Sequence, residues 1–395
     1  MTDDRSILAI NAGSSSIKFA LFGVDLAPRL KGEIEGIGTH PRLCARSADG
    51  SVLVDRRLPD EPAGDHDLTL LLTGWVESHL GGAALAAIGH RVTIGGLEHS
   101  GPAIVTPALM AKLKALVPLA PLHQPRNLAA IGSLSASHPD VRQVACFDTA
   151  FHRTLPPVAQ LVALPKAIRD AGAHRYGFHG LSYEFIASRL PVVEPRGAAG
   201  RTIVAHLGSG ASLCALKEGK SVATTMAFSP LSGLVMGTRP GDLDPGLMIW
   251  LMRERGMSVD EVEAMLYHDC GLKGVSGISG DMRDLLASDA PDAADAVELF
   301  TYKVSTEIGA LAAALGGLDA LVFTAGIGEH GAAIRAAICE RCAWLGLRLS
   351  PSENLKDAAL ISAPDSAVAV HVIRANEELM VARHTVALCL SPSPQ

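Results

Sequence analysis

Asn11, Gly13, Ser14, Ser15, Ser16 and Lys18 fall within one short stretch, residues 7–22, between two apolar arms. A glycine followed by three serines offers hydroxyls and backbone N–H groups toward one point, and glycine tolerates the torsions such a turn needs. With one lysine beside it, that cradle suits a phosphate. An ordinary hairpin with a small-residue turn would read the same from this stretch alone. Residues 202–216 repeat the theme around Gly208-Ser209-Gly210. A shift of 195 positions lays Gly13 on Gly208, Ser14 on Ser209, Ala20 on Ala215 and Leu21 on Leu216, with Asn11 opposite His206. We read an internal repeat in which each half opens with a strand–turn–strand cradle, and two such turns facing each other would hold a polyphosphate from both sides.

Other residues carry further chemistry. Arg91 and Arg239 each sit among glycines rather than on a charged helix face, and a guanidinium makes forked contacts with carboxylate or phosphate. His123, His179 and His206 are set in turns bounded by proline or glycine, and each is as readily structural as functional. Asn11, Asp148 and Glu377 are oxygen donors suited to a Mg²⁺ that keeps its waters. Phe178, Leu122 and Pro230 are apolar neighbours that could wall a small pocket. Gly326-x-Gly328-x-x-Gly331 matches the dinucleotide fingerprint in letters, but no acidic residue follows at the required offset of about twenty residues. The chain has no Gly-x-x-x-x-Gly-Lys-Ser/Thr loop and no His-x-x-x-His or Glu-x-x-His spacing to suggest a zinc site. Cys339 and Cys342 lie inside a helical pattern with no second pair, which reads as core packing.

The elements that must position these residues alternate between strand and helix. Residues 84–91 and 141–147 read as buried strands, the second delivering Asp148 at its C-terminal end, where ligands gather in open α/β sheets. Helices are expected over 68–80, 106–117, from Pro125 to about Ser137, and over 182–190, 298–315 and 332–345. Residues 155–165 read as a connecting loop, 191–200 as a surface turn and 325–331 as a glycine turn after a strand over 320–324. Asp281 is placed as a helix N-cap. A closing helix after Asn376-Glu377-Glu378 could fold back onto the first half.

Composition bounds the rest. The 395 residues, 48% hydrophobic and 19% charged, suffice for two domains with packed cores. A net charge of -7 offers no basic field for nucleic acid. The apolar window 309–328 is split by Gly316-Gly317 and Asp319, so no membrane span is expected. Seven scattered cysteines and an acidic opening without a leader pattern point to the cytoplasm.

Assembled, the chain resembles the acetate kinases, of the acetate-and-sugar-kinase and actin superfamily. The resemblance runs through Asn11-Ala-Gly-Ser-Ser-Ser-Ile-Lys-Phe19, Gly89-His-Arg-Val92, Phe147-Asp-Thr-Ala-Phe-His152, Arg175-Tyr-Gly-Phe-His-Gly180, His206-Leu-Gly208, Met236-Gly-Thr-Arg239, Gly241-Asp-Leu-Asp-Pro245, Ala325-Gly-Ile-Gly-Glu329 and Asn376-Glu-Glu-Leu379. It implies an α/β fold of two ribonuclease-H-like (actin-like ATPase) domains flanking a nucleotide-binding cleft. The first domain would be residues 1–148 with a closing helix 380–395, the second residues 149–379. It also implies a reversible, Mg²⁺-dependent phosphoryl transfer from ATP to acetate, in which Mn²⁺ may substitute, by a homodimer.

By the same resemblance Asp148, His179 and Arg239 would be catalytic. Asp148 would act in proton transfer or, as we favour, orient an arginine or the metal's water. Arg91, Thr93, Leu122, Phe178 and Pro230 would bind acetate. Lys18, His206, Leu207, Gly208, Ser209, Gly210, Asp281, Met282, Arg283, Gly326, Ile327, Gly328, Glu329 and His330 would contact the nucleotide. Asn11 and Glu377 would place the metal. The chain departs from the family pattern at Ser209 and His330, each for an asparagine, at Gln124 for an asparagine, and at Thr93-Ile94 for Val-His. The Thr93 hydroxyl bears on the choice among acetate, propionate and butyrate. The rival readings are a propionate or butyrate kinase, an actin-like ATPase and, more distantly, a dehydrogenase.

Overall fold

The apolar arms around Gly13 are strands in the computed structural model, which describes residues 4–13, 16–37, 39–59, 65–82, 84–121 and 123–390. Ser14, Ser15 and Leu122 therefore lie outside the described residues. The chain folds as two units, Met1–Phe151 with Asn376–Gln395, and His152–Ala375.

In the first unit β1 (Ser6–Ala12), β2 (Ile17–Gly23), β3 (Pro28–Glu35), β4 (Arg42–Ser47), β5 (Val52–Arg57), β6 (Leu85–Val92), β7 (Ala103–Ile104) and β8 (Arg142–Phe147) form one sheet in the order β5-β4-β3-β2-β1-β6-β8-β7. β1 to β5 are joined antiparallel, whereas β1, β6 and β8 run parallel. Side chains alternate between faces along each strand. Ile88 packs with Leu68, Leu72, Val76 and Leu134 from the helices Asp65–Ser78 and Gln124–Ser137. Next to it, Gly89 carries no side chain because the closing helix Glu377–Cys389 lies there: a Cβ would stand 2.2 Å from Thr385 Oγ1 and 2.5 Å from Val381 Cγ1.

The second unit repeats the pattern. β9 (Arg201–Leu207), β10 (Ala211–Lys217), β11 (Lys220–Thr224), β12 (Ala320–Thr324) and β13 (Ala369–Val372) are ordered β11-β10-β9-β12-β13. β9 to β11 are antiparallel, and β9, β12 and β13 are parallel. The inner strands of the first sheet, β3-β2-β1-β6-β8, have the same order and directions, so the internal repeat is a repeat of topology.

Its register differs from the ungapped alignment. Asn11 pairs with Lys18 across the first turn, whereas His206 pairs with Ser212 across the second. The second turn is one residue tighter. The structural counterpart of Lys18 is thus Ser212, and the identities of Ala20 with Ala215 and Leu21 with Leu216 join residues that are not equivalent in the ladder.

Several elements differ from expectation for local reasons. The long helix starts at Pro291, seated in its first turn where the missing N–H costs nothing, and ends at Gly316 with φ of 72°. The expected turn over 191–200 is helical: Gly180–Val193 runs through Pro191 in its last turn, and Pro195–Ala199 follows. The glycine turn after β12 is a short helix, Ala325–His330, entered through Ala325 at φ of 64°. The helix expected over 332–345 ends at Arg341, and a short 3₁₀ turn follows. Cys339 and Cys342 are buried thiols, and burial pushes Cys342 up to about 11. No helix among the described residues is long and apolar enough to cross a membrane.

Candidate active site

Each unit gathers part of the predicted set. In the first, the parallel register sets Asn11, Arg91 and Asp148 at the C-terminal ends of adjacent strands: Ile10 pairs with His90 and Val92 with Phe147. Arg91 Nε and Nη2 both donate to Asp148 Oδ2, at 3.0 and 2.5 Å. Arg91 Nη1 donates to Asn11 Oδ1 at 3.2 Å, and Asn11 Nδ2 donates to Glu377 Oε2 at 3.1 Å. Asp148 is 1% exposed. Burial by itself would lower the Arg91 pKa, but the carboxylates of Asp148 and Glu377 more than offset it and hold the guanidinium charged. Glu378, beside Glu377, is pushed up by burial and by its neighbour's charge. Lys18 is exposed, across the ladder from Asn11.

Just past Arg91 the chain is pinned by side-chain amides. Thr93 is 1% exposed, and its backbone N–H and hydroxyl both donate to Asn127 Oδ1 at 3.0 Å. Asn127 in turn donates to the Ala12 carbonyl at 2.6 Å, beside the first glycine turn. Gln124, fully buried, grips the backbone of Ile94 at both N–H and C=O, at 3.2 and 3.0 Å. The extra methylene that distinguishes glutamine from asparagine spans that distance. Gly95 faces Phe147 so closely that a Cβ would lie 2.5 Å from the ring.

In the second unit His179 precedes the helix Gly180–Val193 at φ of 56°, a left-handed conformation rare for a side-chain-bearing residue. Its Nδ1 meets Ser212 Oγ at 2.8 Å, and Ser212 Oγ also meets the Tyr183 hydroxyl. His206 Nδ1 meets Ser182 Oγ at 2.8 Å, and the two imidazoles stack with centroids 4.2 Å apart. Behind them His152, pushed down to about 4 by burial, bonds the Phe178 carbonyl at 2.9 Å. Gly177, at φ of 75°, leaves room for that imidazole: a Cβ would lie 2.5 Å from it.

Gly210 joins the second cradle to the cationic groups. A Cβ there would stand 2.7 Å from Arg239 Nη2 and 3.5 Å from His179 Nε2, so both polar ends converge on the turn. Arg239 Nη1 is held by the Pro230 carbonyl at 2.8 Å, and Gly237 N–H donates to the Ser209 carbonyl at 3.0 Å. Leu207, Phe178 and Pro230 are buried, whereas the Ser209 side chain is exposed. Asp281 caps the following helix through Arg283 N–H and holds the exposed Arg283 guanidinium at 2.6 Å. Met282 packs into the core. Gly326 has open space where a Cβ would be, Gly328 is buried, and Ile327 is half-buried. Glu329 Oε1 accepts from the Ala325 and Ala375 N–H groups, and His330 is exposed. Arg335, fully buried, donates to the Gly328 and Glu329 carbonyls at 2.9 Å and to Asp357 at 2.5 Å, bracing the helix Ala325–His330.

Sequence reasoning missed Asn127, Ser182, Tyr183, Ser212 and Arg335. Counting the tighter second turn would have set Ser212 opposite His206. The other four act through contacts remote in sequence or across helix turns. Among the described residues no cluster of three histidines, cysteines or carboxylates could hold a metal on its own.

Known proteins resemble this chain over nearly its full length. The model of the Acetokinase family matches residues 6–383. The acetate kinase of Nitrobacter hamburgensis is 51% identical over 393 residues, covering 98% of this chain and 97% of the relative. The crystal structure of a propionate kinase from Francisella tularensis superposes with a TM-score of 0.90 at 34% identity, covering 97% of this chain and 100% of that one. That of the acetate kinase of Porphyromonas gingivalis gives 0.85 at 33%, covering 97% and 99%. This chain is a member of the acetokinase family.

Proposed function

We propose that the chain transfers the terminal phosphoryl group of ATP to acetate, reversibly, giving acetyl phosphate and ADP by direct in-line attack. The observation that carries this reading is the Asp148–Arg91–Asn11–Glu377 chain, which presents a charged, oriented guanidinium beside oxygen donors. A short-chain acid is already ionised near neutral pH, so its oxygen needs no base. It needs relief from the repulsion between two anions, which positioning and charge stabilisation supply. Arg91 binds the carboxylate and Asp148 holds Arg91 in place. Arg239 and His179, converging on Gly210, take the oxygens of the moving phosphoryl group.

Residues 206–210, 281–283 and 326–330, with Lys18, receive the nucleotide. The Ser209 departure matters little in its backbone role, since its carbonyl is engaged whatever the side chain. A Mg²⁺ that keeps most of its waters fits the hard oxygens of Asn11 and Glu377, whose side chains already touch. When bound, it neutralises charge on the phosphates.

Acetate is favoured over propionate or butyrate by the name of the more similar relative. The Thr93 hydroxyl does not oppose it, being turned to Asn127. A homodimer would cover the helix Pro245–Glu254, which has no buried residue and exposes Leu247, Ile249 and Trp250. The free cysteines suit a cytoplasmic protein.

Hydroxylamine trapping of acyl phosphate, with ATP, Mg²⁺ and a panel of short-chain acids, tests the reading. The largest hydroxamate signal is expected with acetate. No hydroxamate from any acid, alongside steady ATP hydrolysis, would point instead to an actin-like ATPase.

A further inference from the structure

We infer that Ser212 and Tyr183 are positioning residues that set which nitrogen of His179 carries its proton, making Nε2–H the donor that faces the phosphoryl group. The inference deepens the proposed kinase reading and rests on it for the role of His179. Ser212 is fully buried on β10, and its hydroxyl has two partners, His179 Nδ1 at 2.8 Å and the Tyr183 hydroxyl. One hydroxyl hydrogen cannot serve both as donor.

A phenol is a better donor and poorer acceptor than an alkyl hydroxyl, so Tyr183 donates to Ser212. The Ser212 hydrogen then goes to His179 Nδ1, which must be bare. In a neutral imidazole the remaining proton is on Nε2. That nitrogen lies 3.5 Å from the position a Gly210 Cβ would take, the same point that Arg239 Nη2 approaches to 2.7 Å. A neutral ring is also the one that stacks without penalty on His206, 4.2 Å away, and beside the Arg239 guanidinium.

The backbone supports the relay. Tyr183 lies one turn into the helix Gly180–Val193, its N–H donating to the His179 carbonyl at 3.1 Å. Ser212 faces His206 across the tight hairpin. Had the second turn been as long as the first, another residue would occupy that place. The Ser182–His206 bond at 2.8 Å engages the same nitrogen of the other ring. Ser212 has its single hydrogen to give and Tyr183 beside it, so the hydroxyl pair acts on the tautomer through Nδ1.

The test is nitrogen NMR of ¹⁵N-histidine-labelled full-length protein, with His179 assigned by the signal that His179→Gln removes. Wild type should show His179 protonated at Nε2. Tyr183→Phe and Ser212→Ala should each move it toward a mixture of tautomers. Both should lower kcat by about tenfold with KM for ATP and acetate unchanged, less than the roughly 10²–10³-fold cost of losing such a donor outright. Tyr183→Phe removes a single oxygen, so it carries the test even if Ser212→Ala folds poorly. An Nδ1-protonated His179 in wild type, or a tautomer indifferent to both substitutions, overturns the inference. An Nε2-protonated His179 in a protein that yields no hydroxamate would leave the proton placement standing and sink the kinase reading instead.

Discussion

Replacing Asp148 by asparagine keeps the size of the side chain and removes its charge. Asp148 Oδ2 accepts two hydrogen bonds from the Arg91 guanidinium, and the side chains are 1% and 13% exposed, so water screens the pair little. Charged hydrogen bonds of this kind are worth about 1.5–3 kcal/mol each. An amide oxygen can still accept them at roughly half that strength. The expected loss is therefore about 2–3 kcal/mol, or about 30- to 150-fold in an equilibrium constant. It is shared between the folded state and the hold on substrate, because Arg91 is freed to turn toward Glu377.

Urea unfolding measures the first part, and hydroxamate kinetics measure the second as a raised KM for acetate with the KM for ATP unchanged. The pH–rate profile should keep its shape if Asp148 acts as proposed, by orienting Arg91 and not by transferring a proton. An unchanged KM for acetate together with the loss of one limb of that profile would refute the orienting role and restore the proton-transfer one.

Gly210→Ala puts a methyl group 2.7 Å from Arg239 Nη2. The displaced guanidinium should cut kcat by about 10- to 100-fold, with ATP affinity by calorimetry nearly intact; wild-type turnover would show that Arg239 does not work at this turn. Thr93→Val removes one of two donors to Asn127 Oδ1, costing about 1 kcal/mol of unfolding free energy. It should leave the ratio of acetate to propionate activity unchanged, and a shifted ratio would mean the hydroxyl meets substrate. His90 and His152 are both pushed down to about 4 by burial. Unfolded imidazoles bind protons first, from about pH 6.5 downward. Stability is therefore full above that pH and is lost as pH falls toward 4, by about 3 kcal/mol for each histidine. Unfolding free energies measured across this range should fall steeply; a flat profile would contradict the neutral burial of both rings.

Much of the architecture was written locally. Apolar arms of strand length around a glycine turn form a hairpin wherever they occur, and the chain has two, which announced two halves of one topology. Asp148 could be placed at a strand end because a short apolar run delivers it there. Asp281 could be placed as a cap because a cap needs only its own side chain and the next N–H groups. Other features depend on contacts between residues far apart in sequence. Asp148 and Arg91 are 57 positions apart, and Asn11 and Glu377 are 366 apart. They meet because parallel strands align their C-terminal ends and the closing helix returns to the first sheet.

The sequence by itself determined the chemical inventory: two cradles, two glycine-framed arginines, the histidines and the oxygen donors. Only the tertiary structure decided where they are placed and what each one touches. The second turn is one residue tighter, which sets Ser212 rather than its sequence-aligned neighbour opposite His206. The Thr93 hydroxyl is spent on Asn127, and a buried arginine braces the helix Ala325–His330 from outside. The physical reason is common to all three: a hydrogen bond is set by distance and direction in space, and sequence specifies these only within a turn or a strand. Beyond that reach, register and packing decide which donor meets which acceptor.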